Sequence, residues 1–501
     1  METTGNHEPG AGGLTRRSLL LAGGAGIGTL SLGGLLSACG GSAAAPAADL
    51  TLRARPATVD IGGRAAKTWA YDGRLPGREV RLTAGKPARI RLVNELEVPT
   101  SIHWHGIRLE NAADGVPGFT QDAVAPGKDF LYTFTPPDPG TFFLHSHFGV
   151  QLDRGLYAPL VIEPRRETLD YDQEAVLMFD DWLDGLAGTP DERLKMLGSS
   201  GMAMGGPGVR LGALKDTALD GSAPEPGSLA RLGNELQAGR LDPGDVRDYP
   251  AYLVNGRPPQ SPTVLTVARG QRIRLRLINP SADTVFRVSV EGHAMHVVAA
   301  DGVPVKPVST DALLLGMGER YDVLVEAKAS GVARIVGLPL GKRGVAIALM
   351  RYRGSSTPAP DVSAAVATPA RVLAYSDLRS RASAPTGPAR EVKLDLTFGG
   401  GPYVWKLGGQ VLEDSQPIEV ARGEHMRFVI DNRSAMPHPM HLHGHNFSVN
   451  GAGGVVKDTA LALPRQRLTL DWVADNPGTW AFHCHNAYHQ EAGMMRRVVV
   501  S

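Results

Sequence analysis

Beyond residue 48 the chain runs as short stretches of Val, Ile, Leu, Thr and aromatic residues alternating with polar positions, cut repeatedly by Gly and Pro. A period of two sends successive side chains to opposite faces of a strand, so each stretch predicts a half-buried β-strand closed by a turn. The pattern is that of many antiparallel strands rather than helices, and the expected class is all-β.

One stretch recurs. GKPARIRLVN from Gly85 to Asn94 returns as GQRIRLRLIN from Gly270 to Asn279 and as GEHMRFVIDN from Gly423 to Asn432, with the same Gly-to-Asn spacing. A second landmark follows downstream, where Pro139-Gly140-Thr141 and Pro477-Gly478-Thr479 each lead into a strand; Ser330-Gly331-Val332 is a weaker middle echo. Repetition at this scale predicts three similar β-sandwich domains, over 49–165, 166–355 and 391–501. A Pro/Ser/Ala-rich linker, 356–390, precedes the last, and the Gly/Pro/Asp-rich stretch 186–250 is expected to be an insertion in the middle domain.

A length of 501 residues is too great for one core and agrees with several domains. Lys plus Arg number 52 against 51 Asp plus Glu, so there is no one-signed field to hold a nucleic acid or an anionic membrane, and a small substrate is expected. Only two cysteines occur, Cys39 and Cys484, which excludes a disulfide framework. Residues 1–39 read as an export signal: Arg16-Arg17 opens a Leu/Gly/Ala stretch that ends at Leu36-Ser37-Ala38-Cys39. The expectation is twin-arginine export followed by lipidation at Cys39, with 40–48 as a tether and the protein held outside the cytoplasm. Ordinary cleavage nearby or a retained anchor are the alternatives.

The candidate chemistry lies in the histidines. Ten of the fifteen fall into four clusters: His103 and His105; His145 and His147; His438, His441 and His443; His483, His485 and His489. In the repeat frame, His103 and His105 match His441 and His443, whereas the middle copy has Val288 and Val290. Likewise His145 and His147 match His483 and His485, where the middle copy has Val336 and Leu338. Each pair is His-X-His, which on a strand puts both imidazoles on one face, so eight converge if the first and third domains meet. Imidazole suits copper, zinc, iron or nickel alike; the cysteine discriminates. Cys484, between two of these histidines, points the other way, where His438, His489 and Met494 complete the ligand set of a blue-copper centre.

These motifs resemble those of the three-domain multicopper oxidases across nearly the whole mature chain, most closely the actinobacterial lipoprotein oxidases of copper tolerance. The likeness is carried by His438-Pro439-Met440-His441-Leu442-His443 and by the run from His483 to Met494. It implies three consecutive cupredoxin-like Greek-key sandwiches and four copper ions. Type 1 copper would take His438, Cys484 and His489 with axial Met494, and type 2 copper would take His103 and His441. The type 3 pair would take His105, His145 and His485 on one ion and His147, His443 and His483 on the other. It also implies Asp114 as a proton-delivering acid near the cluster, His489 as the port for substrate electrons, and O2 as acceptor.

The chain departs from the pattern twice. Bacterial relatives often carry a glutamate after the last type 1 histidine; here stands Gln490, which cannot relay protons, leaving the task to Glu491 or ordered water. Met436 resembles a cuprous-oxidase methionine, but Ser434 replaces the nearby aspartate. Met196, Met202 and Met204 in the insertion are further soft donors. Cu(I) and phenols are the expected reductants, with Fe(II) a third. A lipoprotein that sequesters copper without turnover is the rival reading.

Overall fold

Each copy of the repeated stretch becomes the same strand in its own sandwich. In a computed structural model, which describes residues 47–200, 242–382, 385–451 and 453–501, strand Ala88–Asn94 pairs in parallel with Leu50–Ile61 and antiparallel with Asp129–Phe134. Arg272–Ile278 lies in the same way between Gln173–Trp182 and Arg320–Glu326, and His425–Asn432 between Arg390–Phe398 and Arg467–Val473. The second sheets repeat as faithfully. His103–His105, Gly140–His145 and Tyr157–Glu163 lie side by side in the first sandwich, as do Phe286–Val290, Val332–Pro339 and Ala346–Tyr352 in the middle one. His438–Leu442, Gly478–Cys484 and Met495–Val500 do so in the third. Among the described residues six sheets result, of four and four, six and five, and six and five strands: three cupredoxin-like β-sandwiches.

The repeated asparagine has one job in all three. Asn94, Asn279 and Asn432 are fully buried at the strand ends. Each donates its amide to two or more carbonyls, Val98 and Val124, Thr284 and Leu315, or Met436, Ala462 and Leu463, and accepts a backbone N–H two residues on. The side chain thereby fixes the loop that delivers the next strand, which in the outer copies carries histidines.

The middle copy departs from simple alternation, because the polar face of its strand is buried as well. Arg274 and Arg276, nearly inaccessible, pair with Asp322, and Arg276 also donates to Thr141 of the first sandwich at 2.8 Å. A face that would meet water in an isolated sandwich here meets a neighbour, and ion pairs satisfy its charges.

Of the insertion, Pro190–Ser200 is an α-helix bearing Met196, and 242–250 returns over the third sandwich, where Asp242 donates its N–H to the Ala435 carbonyl at 3.2 Å. The linker is partly bound: Val372 bridges to Ala312 and Ser380 to Val305. The expected signal with Cys39, most of the tether, residues 201–241 with Met202 and Met204, and His7 lie outside the described residues. Among the described residues no helix is long and apolar enough to cross a membrane.

Replacing Asn279 by Ala strips two buried carbonyls of their donor, at about 1–3 kcal/mol for each buried group left unpaired. The expected result is a melting temperature lowered by several degrees, read by calorimetry.

Candidate metal centre

Cross-strand register brings the histidines together before any tertiary contact is counted. His103 lies directly opposite His145 in the first sandwich, and His441 opposite His483 in the third, while Met440 faces Cys484. Both histidine faces are buried and pressed against each other: His103 stacks on His443, and His105 on His441, each with ring centres 3.9 Å apart. The eight rings thus line one seam between the first and third sandwiches.

Within the seam, potential ligand atoms gather in small groups no more than 4.8 Å across. His105, His145 and His485 form one, His147, His443 and His483 a second, and His103, His105 and His441 a third. Nε2 of His483 is 3.0 Å from that of His443 and 3.4 Å from that of His147. Nitrogens bound tetrahedrally to one ion at about 2.0 Å lie roughly 3.3 Å apart, so this spacing suits a shared metal.

Outer partners select which nitrogen is offered. A carbonyl can only accept, so a ring nitrogen beside one must donate. Nδ1 of His103, His145, His441 and His483 each lies 2.9 Å from a carbonyl, those of Asp114, Ser146, Asp458 and Cys484 respectively. Nδ1 of His443 lies 2.9 Å from the Asp114 carboxylate. Each of these five rings therefore turns its Nε2 lone pair into the seam. His105 is reversed: its Nε2 meets the Thr459 hydroxyl at 3.1 Å, leaving Nδ1. Nε2 of His103, His145 and His441 and Nδ1 of His105 are buried without a protein partner, as lone pairs awaiting a metal would be; both ring nitrogens of His485 are likewise unpartnered, one a lone pair and the other an N–H. Burial, and then the neighbouring imidazoles, hold His105, His145, His147, His443, His483 and His485 well below the usual histidine range, keeping them neutral and able to ligate.

The fourth group lies on the other side of the same strand. Cys484, the free cysteine of the described residues, is fully buried with its Sγ 3.6 Å from Nδ1 of both His438 and His489, which are 3.0 Å apart. A sulfur at about 2.3 Å and nitrogens at about 2.0 Å around one tetrahedral ion would stand roughly 3.5 Å apart. Nε2 of His438 is engaged by the Ser434 hydroxyl at 2.8 Å, and Nε2 of His489 faces the Asp245 carboxylate at 2.8 Å, so both rings turn Nδ1 to the sulfur. Burial depresses His438, whereas for His489 burial, the largest single effect, is outweighed by the Asp245 carboxylate and Cys484 acting together, which raise the ring to about 10. Trp405 packs on both rings, and Asn486 caps the short helix Ala487–Glu491 that carries His489. Met494 is buried, and its carbonyl accepts the Cys484 N–H at 3.1 Å.

The eight seam histidines and the group His438, Cys484 and His489 are thus brought to two adjoining places, with Asp114 against His103 and His443 and the Met494 backbone beside Cys484. Glu491 is not among them; it is exposed and bonded to the Gln490 amide. Sequence reasoning missed Asp458, Thr459, Arg320 and Asp245, which act from other parts of the chain and carry no periodic signal. It named Ser434 only as a missing aspartate. Of the unassigned histidines, His445 is packed between Trp472 and Trp480 with Nδ1 on the His443 carbonyl, and His293 bonds to Tyr352.

Comparison with known proteins agrees with this geometry. Profiles described as multicopper oxidase match residues 53–167, 230–355 and 385–501. The chain is 39% identical over 458 residues to multicopper oxidase MmcO of Mycobacterium tuberculosis, covering 89% of this chain and 86% of the relative. It is 30% identical to a copper resistance protein A homolog of Pseudomonas syringae pv. tomato, covering 88% and 90%. Among solved structures, the laccase from Botrytis aclada superposes with a TM-score of 0.71 at 26% identity, covering 90% and 87%. The histidine clusters fit copper, and the chain belongs to the multicopper oxidase family, as a copper-dependent oxidoreductase with O2 as its acceptor.

Proposed function

We propose that the chain binds four copper ions and couples one-electron oxidation of a small reductant to four-electron reduction of O2 to water, in the service of copper tolerance. His438, Cys484 and His489, with Met494, would hold a type 1 copper, and His103 and His441 a type 2 copper. His105, His145 and His485 would hold one type 3 ion, and His147, His443 and His483 the other. One observation carries this reading: along the strand Gly478–Cys484 and its continuation, a buried cysteine sulfur and its two flanking imidazoles serve opposite sides. Two metal sites are then joined by a few covalent bonds, a short route for an electron. Copper bound there supplies single-electron exchange at the thiolate and multi-electron chemistry toward dioxygen at the histidine seam.

The protein's own groups do the rest. Burial of the eight rings excludes bulk water from the seam. Asp114, with one carboxylate oxygen on His443 and the other 3.3 Å from His103 Nδ1, is suited to hold and pass a proton there, a task closed to the Gln490 amide. At the thiolate site the outer edge of His489 is the electron port, and it lies under Asp245, which also accepts from the Tyr403 hydroxyl at 2.8 Å. A carboxylate at that edge attracts a metal cation and accepts from a phenol hydroxyl. Buried Met436 beside Ser434 and the copper-resistance relatives support Cu(I) as the physiological reductant, with phenols as further substrates. Twin-arginine export and a lipid anchor at Cys39 complete the reading, placing oxidation outside the cytoplasm.

In Cys484→Ser, absorption near ~600 nm and oxygen uptake are expected to disappear together while the copper of the histidine seam stays; retained turnover would refute the ligand assignment. In Asp245→Asn, the KM for Cu(I) or Fe(II) is expected to rise about tenfold, the scale of one charge-assisted contact, with a smaller rise for a neutral phenol. Rates for the three reductants with oxygen uptake recorded rank Cu(I) first; copper binding with no uptake would favour sequestration, and a dominant Fe(II) rate would favour a ferroxidase.

A further inference from the structure

The side chains that keep the histidine seam in register are not confined to the two sandwiches that supply the histidines. Arg320 opens the strand Arg320–Glu326 of the middle sandwich and is fully buried. Its guanidinium grips Asp458 of the third sandwich with both ends of the fork, Nη1 to Oδ1 at 2.7 Å and Nη2 to Oδ2 at 2.6 Å. Its Nε donates to the Thr141 carbonyl of the first sandwich at 3.2 Å. One side chain therefore ties all three sandwiches at a single point.

That point lies against the cluster. The Asp458 carbonyl accepts from His441 Nδ1 at 2.9 Å, and its carboxylate Oδ1 is 3.4 Å from His105 Nε2 and 3.5 Å from His441 Nδ1. The Thr459 hydroxyl, which donates to Asp458 at 2.8 Å, lies 3.1 Å from both of those ring nitrogens. Asp301 braces the arrangement from the middle sandwich, accepting the backbone N–H of Arg320 at 2.9 Å and of Thr459 at 3.1 Å. Two glycines make room: a Cβ on Gly106 would stand 2.3 Å from Arg320 Nη2, and one on Gly318 would stand 2.9 Å from the His485 ring.

We infer that Arg320 is a positioning residue for the copper cluster, setting through Asp458 and Thr459 the tautomer and aim of His441 and His105. This rests on the four-copper reading above. A guanidinium fork fixes the plane of a carboxylate, whereas an ammonium offers only a point charge, so lysine is not an equivalent replacement. With Asp458 locked, His441 keeps its proton on Nδ1 and its lone pair on Nε2, and His105 is held in the opposite sense by Thr459.

The test compares the copper-loaded full chain with Arg320→Lys and with Asp458→Asn, which retains an acceptor of nearly the same shape. Copper per chain, absorption near ~600 nm, the paramagnetic resonance of the non-blue Cu(II), kcat and KM are read together. Expected in both variants are an unchanged blue absorption and an unchanged KM, an altered or missing non-blue signal, and a fall of about 10- to 100-fold in kcat or in copper affinity at the cluster. A folded variant with the parent's non-blue signal and kcat overturns the inference. So does loss of the blue absorption along with the non-blue signal, or failure to fold in both variants, because the arginine is then a support of the fold and nothing more. A parent without four copper ions would remove the reading beneath it.

Discussion

Six ring nitrogens, on His103, His105, His145, His441 and His485, are buried in one seam with no protein group to bond. Each such nitrogen costs about 1–3 kcal/mol when left unsatisfied, and several together rival the ~5–15 kcal/mol that keeps a domain folded. Protonation is no escape for His105, His145, His441 and His485, because burial and the crowding of neighbouring rings depress these imidazoles. Only a metal satisfies lone pairs that converge from several directions at once. Much of the surrounding structure serves that convergence: the paired His-X-His strands, the carbonyls that fix Nδ1, and the contact between the outer sandwiches.

The same constraint explains the middle sandwich, which has valines and a leucine where the others have histidines. Among the described residues it contributes no histidine or cysteine to these groups, yet its sheet carries Arg276 against the first sandwich and Arg320 against the first and the third. Buried charge pairs contribute little net stability but tolerate few alternative arrangements, since a slip of either partner strands a charge. Such pairs suit a part whose task is to set the relative placement of two others. The thiolate site draws on the middle domain as well: Asp245 meets His489, and Asp283 receives the Asn486 amide at the helix cap.

The division of labour between the two metal sites follows from the pleat. Alternation sends Cys484 to one side and His483 and His485 to the other, so the electron port and the oxygen site are separated in space yet adjacent in sequence. Each then has its own surroundings: Ser434, Trp405 and Asp245 around the thiolate, and Asp114, Asp458 and Thr459 around the seam.

Strand class, threefold repetition and the grouping of His103, His105, His145, His147, His438, His441, His443, His483, Cys484, His485 and His489 were all legible in the chain, because a period of two and a repeated frame are local properties. Asn94, Asn279 and Asn432 were visible as a pattern, although their bonding was not. The buried polar face of Arg272–Ile278, the roles of Ser434 and Asp245, and the reach of Arg320 to Asp458 were decided only by tertiary structure. The contacts of Arg276 with Thr141, Arg320 with Asp458 and Asp245 with His489 join residues 135 to 244 positions apart on different sandwiches, and no local period records which surface of one domain will meet another. The sequence by itself determined which atoms could bind metal; the packing of three sandwiches decided which nitrogen each ring presents and what stands behind it.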